Sequence, residues 1–93
     1  MKSLWKAHVY ITLKPGVLDP QGSTIQRVLT AHGFDGLKDV RVGKFIELEL
    51  TAASRRQAEN AVEEMCRRLL ANPVLENYRF TLTQADGEAT DSP

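Results

Sequence analysis

The sequence predicts a two-layer α+β domain in the order strand, helix, long strand, helix, strand. Three observations predict it. Leu4–Lys14 and Tyr78–Thr83 alternate apolar and polar residues with period two. Two intervening segments carry apolar residues at helical spacing behind capping residues. Lys38–Thr51 keeps a single parity throughout. At 93 residues the chain fits one domain with one thin core. Residues 1–84 form that domain, and 85–93 are expected to be a disordered polar tail without an apolar anchor.

In the first strand Trp5, Ala7, Val9, Ile11 and Leu13 share one face, and Lys6, His8, Tyr10, Thr12 and Lys14 share the other. Pro15-Gly16 stops it. Asp19 caps the first helix and Pro20 suits its first position, where no N–H partner is needed. Ile25, Val28, Leu29 and His32 follow helical spacing, and Gly33 is placed to end the helix.

In the long strand Val40, Val42, Ile46, Leu48 and Leu50 are even-numbered, while Arg41, Phe45, Glu47 and Glu49 are odd-numbered. A two-residue hairpin at Gly43-Lys44 would put Val40 on one face with Glu47, so one strand, bent at Gly43, is favoured. Ser54 and Gln57 form a capping-box pattern ahead of a stripe of Ala58, Ala61, Val62, Met65 and Leu69. Asn72-Pro73 ends that helix. Tyr78, Phe80 and Leu82 face inward from the last strand.

A strand of fourteen residues spans about 46 Å, whereas a globule of this size is about 32 Å across. Part of its apolar face would stay wet in a monomer, so a dimer, or a dimer of dimers, is expected. Its interface would use Val40, Val42, Ile46, Leu48 and Leu50. Lys44 interrupts that face, which requires an exposed strand end. Arg41, Lys44 and Lys14 are the expected contacts with other proteins.

Lys plus Arg equals Asp plus Glu at 12 each, which gives no electrostatic reason for nucleic acid or an anionic membrane as partner. The N-terminal residues do not form a signal peptide, no apolar run is long enough to span a membrane, and Cys66 is alone; the expected compartment is the cytoplasm.

Chemistry has few candidates. Cys66 with His8 or His32 would need hydrogen-bond reach and an orienting group, and Cys66 lies beside an apolar stripe. The Gly16–Gly22 loop lacks the spacing of a phosphate-binding fingerprint, and Asp19 opposes an anion there. No cluster has metal-ligand spacing, and Glu63-Glu64 and Glu47/Glu49 read as solvated faces. Tyr10 and Phe45 are the only aromatics suited to stacking RNA on a sheet. No catalytic, cofactor or metal residue is assigned.

Three segments carry a family resemblance. They are Val9-Tyr10-Ile11-Thr12-Leu13-Lys14-Pro15-Gly16-Val17-Leu18-Asp19-Pro20-Gln21-Gly22, Asp39-Val40-Arg41-Val42-Gly43-Lys44-Phe45-Ile46-Glu47-Leu48 and Asn72-Pro73-Val74-Leu75-Glu76-Asn77-Tyr78. Over residues 5–84 the chain resembles the PurS family, the small subunit of phosphoribosylformylglycinamidine synthase. The resemblance implies a ferredoxin-like-related fold completed by dimerisation. It implies a non-catalytic subunit of an ATP- and glutamine-dependent ligase of purine biosynthesis, which bridges a synthetase subunit and a glutaminase subunit and supports ammonia transfer. It implies no cofactor in this chain, with ATP and magnesium held by the synthetase. The alternatives are a small-molecule-binding regulatory domain, which would need a fourth strand, and a small enzyme, which would need a positioned nucleophile.

Overall fold

The computed structural model describes residues 2–85. The expected order holds: β1 (Ser3–Leu13), α1 (Pro20–Ala31), β2 (Lys44–Ala52), α2 (Arg55–Met65) and β3 (Glu76–Gln84). The sheet is antiparallel in the order β2-β1-β3. There is no hairpin at Gly43-Lys44; β2 begins at Lys44 and pairs along β1. The fourth strand that the regulatory-domain alternative requires is absent among the described residues.

β1 is the centre strand, and its alternation decides the two faces of the sheet. Trp5, Ala7, Val9 and Ile11 are buried as the sequence pattern requires. Their neighbours on the inner face are Leu50, Leu48 and Ile46 on one side and Leu82, Phe80 and Tyr78 on the other. α2 covers this face. Ala58, Val62 and Cys66, four residues apart, are fully buried against it. Ser54 caps α2 by accepting from the Gln57 N–H at 3.1 Å, and Gln57 accepts in return from the Ala53 N–H at 2.7 Å.

Leu69 departs from the expected stripe. α2 runs into a π turn over Cys66–Leu70. The wider turn shifts the register, so Leu70 packs on the core and Leu69 is left 83% exposed.

The long strand is also shorter than expected. Its paired part is Lys44–Ala52, and residues 37–43 lead into it without a ladder partner among the described residues. Val40 and Val42 therefore lie in the approach to β2 and not within it. The apolar parity of the sequence continues through these residues, but a strand needs a neighbour to pair with.

α1 stands apart. Asp19 caps it by accepting from the Gly22 N–H at 2.8 Å, and Gly33 closes it with φ of 102°. Its only buried residue is Gly22, and neither apolar cluster of the core contains a residue of α1. Ile25 and Val28 are exposed. The molecule is consequently drawn out to 55 × 32 × 16 Å, with a radius of gyration of 17.3 Å. A globule of this length has a radius near 12 Å. Of the expected tail, Ala85 is tied down through its N–H to the Leu4 carbonyl at 2.7 Å; residues 86–93 lie outside the described residues.

Candidate interaction surfaces

The two parts of the arm, α1 and residues 37–43, are tied to each other by Asp19. This carboxylate is 8% exposed, and it serves both parts of the arm. One oxygen accepts from Gly22 N–H; the other accepts from Val42 N–H at 2.9 Å. The Arg41 guanidinium lies 3.9 Å away. The hydrogen bonds from Val42 and Gly22, helped by the charge of Arg41 against the opposing effect of burial, hold the Asp19 carboxyl below its usual range. Two close approaches complete the joint. A Cβ on Gly22 would sit 2.3 Å from the Val40 carbonyl oxygen, and one on Gly43 would sit 2.4 Å from that of Ile11. Glycine at 22 lets α1 lie this close to the 37–43 segment, and glycine at 43 lets that segment lie this close to β1. Between arm and sheet a cleft of about 320 Å³ is lined by Ile11, Leu13, Asp19, Pro20, Val42 and Lys44, among others.

The three expected protein-contact cations are engaged inside the chain. Arg41 donates to the Val17 and Lys14 carbonyls, both at 3.2 Å. Lys14 donates to Asn77 Oδ1 at 2.9 Å, and Lys44 lies 3.8 Å from Glu76. The Lys44 side chain is 57% exposed, because its end of the strand is open. Of the expected interface residues, Ile46, Leu48 and Leu50 pack on the core but stay half-exposed along the outer edge of the inner face. Val40 and Val42 are half-buried in the arm.

Among the described residues no helix covers the other face of the sheet. Across it run Phe45–Tyr10–Arg79, Glu47–His8–Thr81 and Glu49–Lys6–Thr83. The Arg79 guanidinium lies 4.2 Å over the Tyr10 ring, and Phe45 is 5.2 Å from Tyr10 and 5.5 Å from His8. Sequence reading put His8 and Tyr10 on one face of the first strand and singled out Phe45, but not Arg79, because only strand register places these residues side by side.

The candidate nucleophile does not assemble. Cys66 is fully buried under α2, and burial, with the charge of Glu63 nearby, pushes its thiol up. His8 lies on the open face, and His32 is exposed just past α1. Tyr78 donates to Glu63, which raises its phenol. Among the described residues no group of three His, Cys, Asp or Glu side chains is placed to hold a metal, and no helix is long and apolar enough to cross a membrane.

Comparison with known proteins agrees with this architecture. The family model for PurS, described as phosphoribosylformylglycinamidine (FGAM) synthase, matches residues 6–84. The PurS subunit of phosphoribosylformylglycinamidine synthase from Synechocystis is 43% identical, over 97% of this chain and 90% of its own. That of Methanocaldococcus jannaschii is 41% identical, over 89% of this chain and all of its own. Among solved structures, PurS of Thermus thermophilus superimposes with a TM-score of 0.78 at 40% identity, covering 86% of this chain and 95% of that one. A chain of PurLQS from Thermotoga maritima superimposes with a TM-score of 0.80 at 36% identity, covering 86% and 98%. The family-model match, the drawn-out three-stranded sheet with its unpacked first helix and this likeness over nearly its whole length lead to one conclusion: the chain belongs to the PurS family, the small subunit of phosphoribosylformylglycinamidine synthase.

Proposed function

We propose that the chain is a non-catalytic adaptor in the synthase, a homodimer that bridges the synthetase and glutaminase subunits and supports ammonia passage between them in the cytoplasm. The observation that carries this reading is the arm: a helix with exposed apolar residues and a segment without a ladder partner, tied to each other by Asp19, beside a sheet with a free edge at β2. Such a surface suits recognition of protein rather than of a small substrate. In the dimer the 37–43 segment of one copy pairs along the free β2 edge of the other, and α1 covers the half-exposed Ile46, Leu48 and Leu50 of its partner. Each sheet then gains the fourth strand and second helix of a ferredoxin-like unit. ATP, magnesium and the glutamine-hydrolysing nucleophile belong to the other subunits. The relative from Thermotoga maritima, solved as PurLQS, supports the placement in a three-subunit assembly.

Reconstitution tests it. Mixed synthetase and glutaminase subunits should show weak glutamine-dependent synthesis that this chain restores, and external ammonia should partly bypass the glutaminase. The chain alone should hydrolyse neither glutamine nor ATP. Unchanged synthesis on adding the chain would count against the adaptor, and glutamine hydrolysis abolished by Cys66→Ala would overturn its non-catalytic role.

A further inference from the structure

β3 is the other edge of the sheet, on the far side of β1 from β2. Two hydrogen bonds fix which of its main-chain groups face outward. Ala85 N–H donates to the Leu4 carbonyl, and Lys14 N–H donates to the Leu75 carbonyl. Bonded and unbonded pairs alternate along an antiparallel ladder, so Asn77, Arg79, Thr81 and Thr83 turn their N–H and C=O groups toward β1. Those of Glu76, Tyr78, Phe80 and Leu82 point away from it. Both ends of this outer row are engaged from within the chain. Glu76 N–H donates to the Asn72 carbonyl at 2.8 Å, and the Leu82 carbonyl accepts from Arg55 at 3.2 Å. Between them the N–H and C=O groups of Tyr78 and Phe80, with the Leu82 N–H, have no main-chain partner among the described residues. The row carries no proline or lysine and its register runs without a bulge, so it lacks the usual defences of an edge.

The two engaged ends close this edge to a second copy of the chain. A twofold antiparallel pairing centred on Tyr78, or before it, needs the Glu76 N–H that Asn72 already holds. One centred on Phe80, or beyond it, needs the Leu82 carbonyl held by Arg55. One centred on Arg79 sets two guanidinium groups directly opposite each other, which is unfavourable. A segment of a different chain is under no such restriction, because it needs only the bare groups between the ends.

We propose that an extended segment of the synthetase subunit adds to the sheet along Tyr78–Leu82 as a further strand, held by main-chain hydrogen bonds. This contact rests on the adaptor role proposed above. In that role external ammonia bypasses the glutaminase but never the synthetase, so the standing main-chain contact belongs to the synthetase. The surroundings of the edge state what the segment carries. On the inner face Tyr78 and Phe80 are half-buried, with the Tyr78 hydroxyl held by Glu63, so an apolar residue opposite Phe80 completes their cover. On the open face Arg79 lies over the Tyr10 ring and has no carboxylate partner among the described residues, so an acidic residue opposite it is favoured.

Amide exchange of the full chain, followed residue by residue, tests this. In the chain alone the Tyr78, Phe80 and Leu82 amides should exchange about tenfold or more faster than those of Arg79 and Thr81. Adding the synthetase subunit should slow them by about tenfold or more, and adding the glutaminase subunit alone should not. Phe80→Pro removes an outward N–H and leaves the ladder to β1 its donors, whereas Phe80→Ala removes the ring alone. With circular dichroism of both variants at the wild-type level, the proline should weaken synthetase binding about tenfold more than the alanine. The exchange measurement uses the unaltered chain and decides the matter where proline disturbs the strand. Slow exchange of these amides in the chain alone overturns the proposal, as does their protection by the glutaminase alone or equal binding by the two folded variants. A synthetase complex that leaves these amides exchanging overturns this contact and spares the adaptor role, whereas the absence of any complex overturns both.

Discussion

Asp19 does three jobs with one carboxylate, and its neighbours leave it few substitutes. An amide in its place can accept from Gly22 or from Val42, but its own NH₂ then opposes the other N–H. Asp19→Asn should therefore speed amide exchange at Gly22 and Val42 while leaving the β1–β3 ladder protected. Acid should do the same to the wild type. The folded carboxyl is held below its unfolded value of about 3.9. Its contribution is thus complete above that value and is lost as pH falls through the lower, folded one. Loss of arm protection between neutral pH and pH 5, with nothing further below, would contradict this sign. Gly22→Ala attacks the same joint by volume. The Val40 carbonyl must move, at a cost of about 1–3 kcal/mol read in urea. The capping role of Asp19 was legible in the sequence, since Asp-Pro before a helical stripe has a local meaning. Its grip on Val42, 23 residues away, was not, since nothing local announces it.

Elements show the same division. α2 could be read from its own residues, and Ser54→Ala should cost about 1 kcal/mol as its cap is lost. The π turn could not, because no residue type marks a change of pitch. Leu69 was accordingly assigned to the buried stripe, which Leu70 in fact joins. Leu69→Ala should change stability by no more than about 0.5 kcal/mol, whereas Leu70→Ala should cost about 1–3 kcal/mol in the same thermal or urea titration. A reversed ranking would restore the simple α register. β2 fails in the other direction. The apolar parity of Val40 and Val42 is real, but parity reports only which way side chains point, and pairing depends on a neighbour that a lone chain does not supply.

At the scale of the molecule, the fold divides into a body with its own core and an arm without one. Val28→Asp places a charge on the exposed side of α1, 48% accessible in the single chain. In a monomer that change is nearly neutral; at a dimer contact it should convert the smallest sedimenting species from dimer to monomer. An unchanged dimer would move the interface away from α1. The class and order of elements were legible because each depends on local periodicity. The open-face row of Phe45, Tyr10 and Arg79 and the free edge of β2 depend on register across the sheet, which no single segment encodes. The body also carries a built-in optical probe. Trp5, the sole tryptophan, is 7% exposed among Ala52, Ala58 and Leu82, with its indole N–H 3.4 Å from the Ala52 carbonyl and the Arg55 guanidinium 5.5 Å from its ring. No arm residue belongs to that cluster. Its emission should therefore shift when the sheet and α2 melt and stay constant while the arm detaches, so one cuvette separates loss of the fold from loss of the partner.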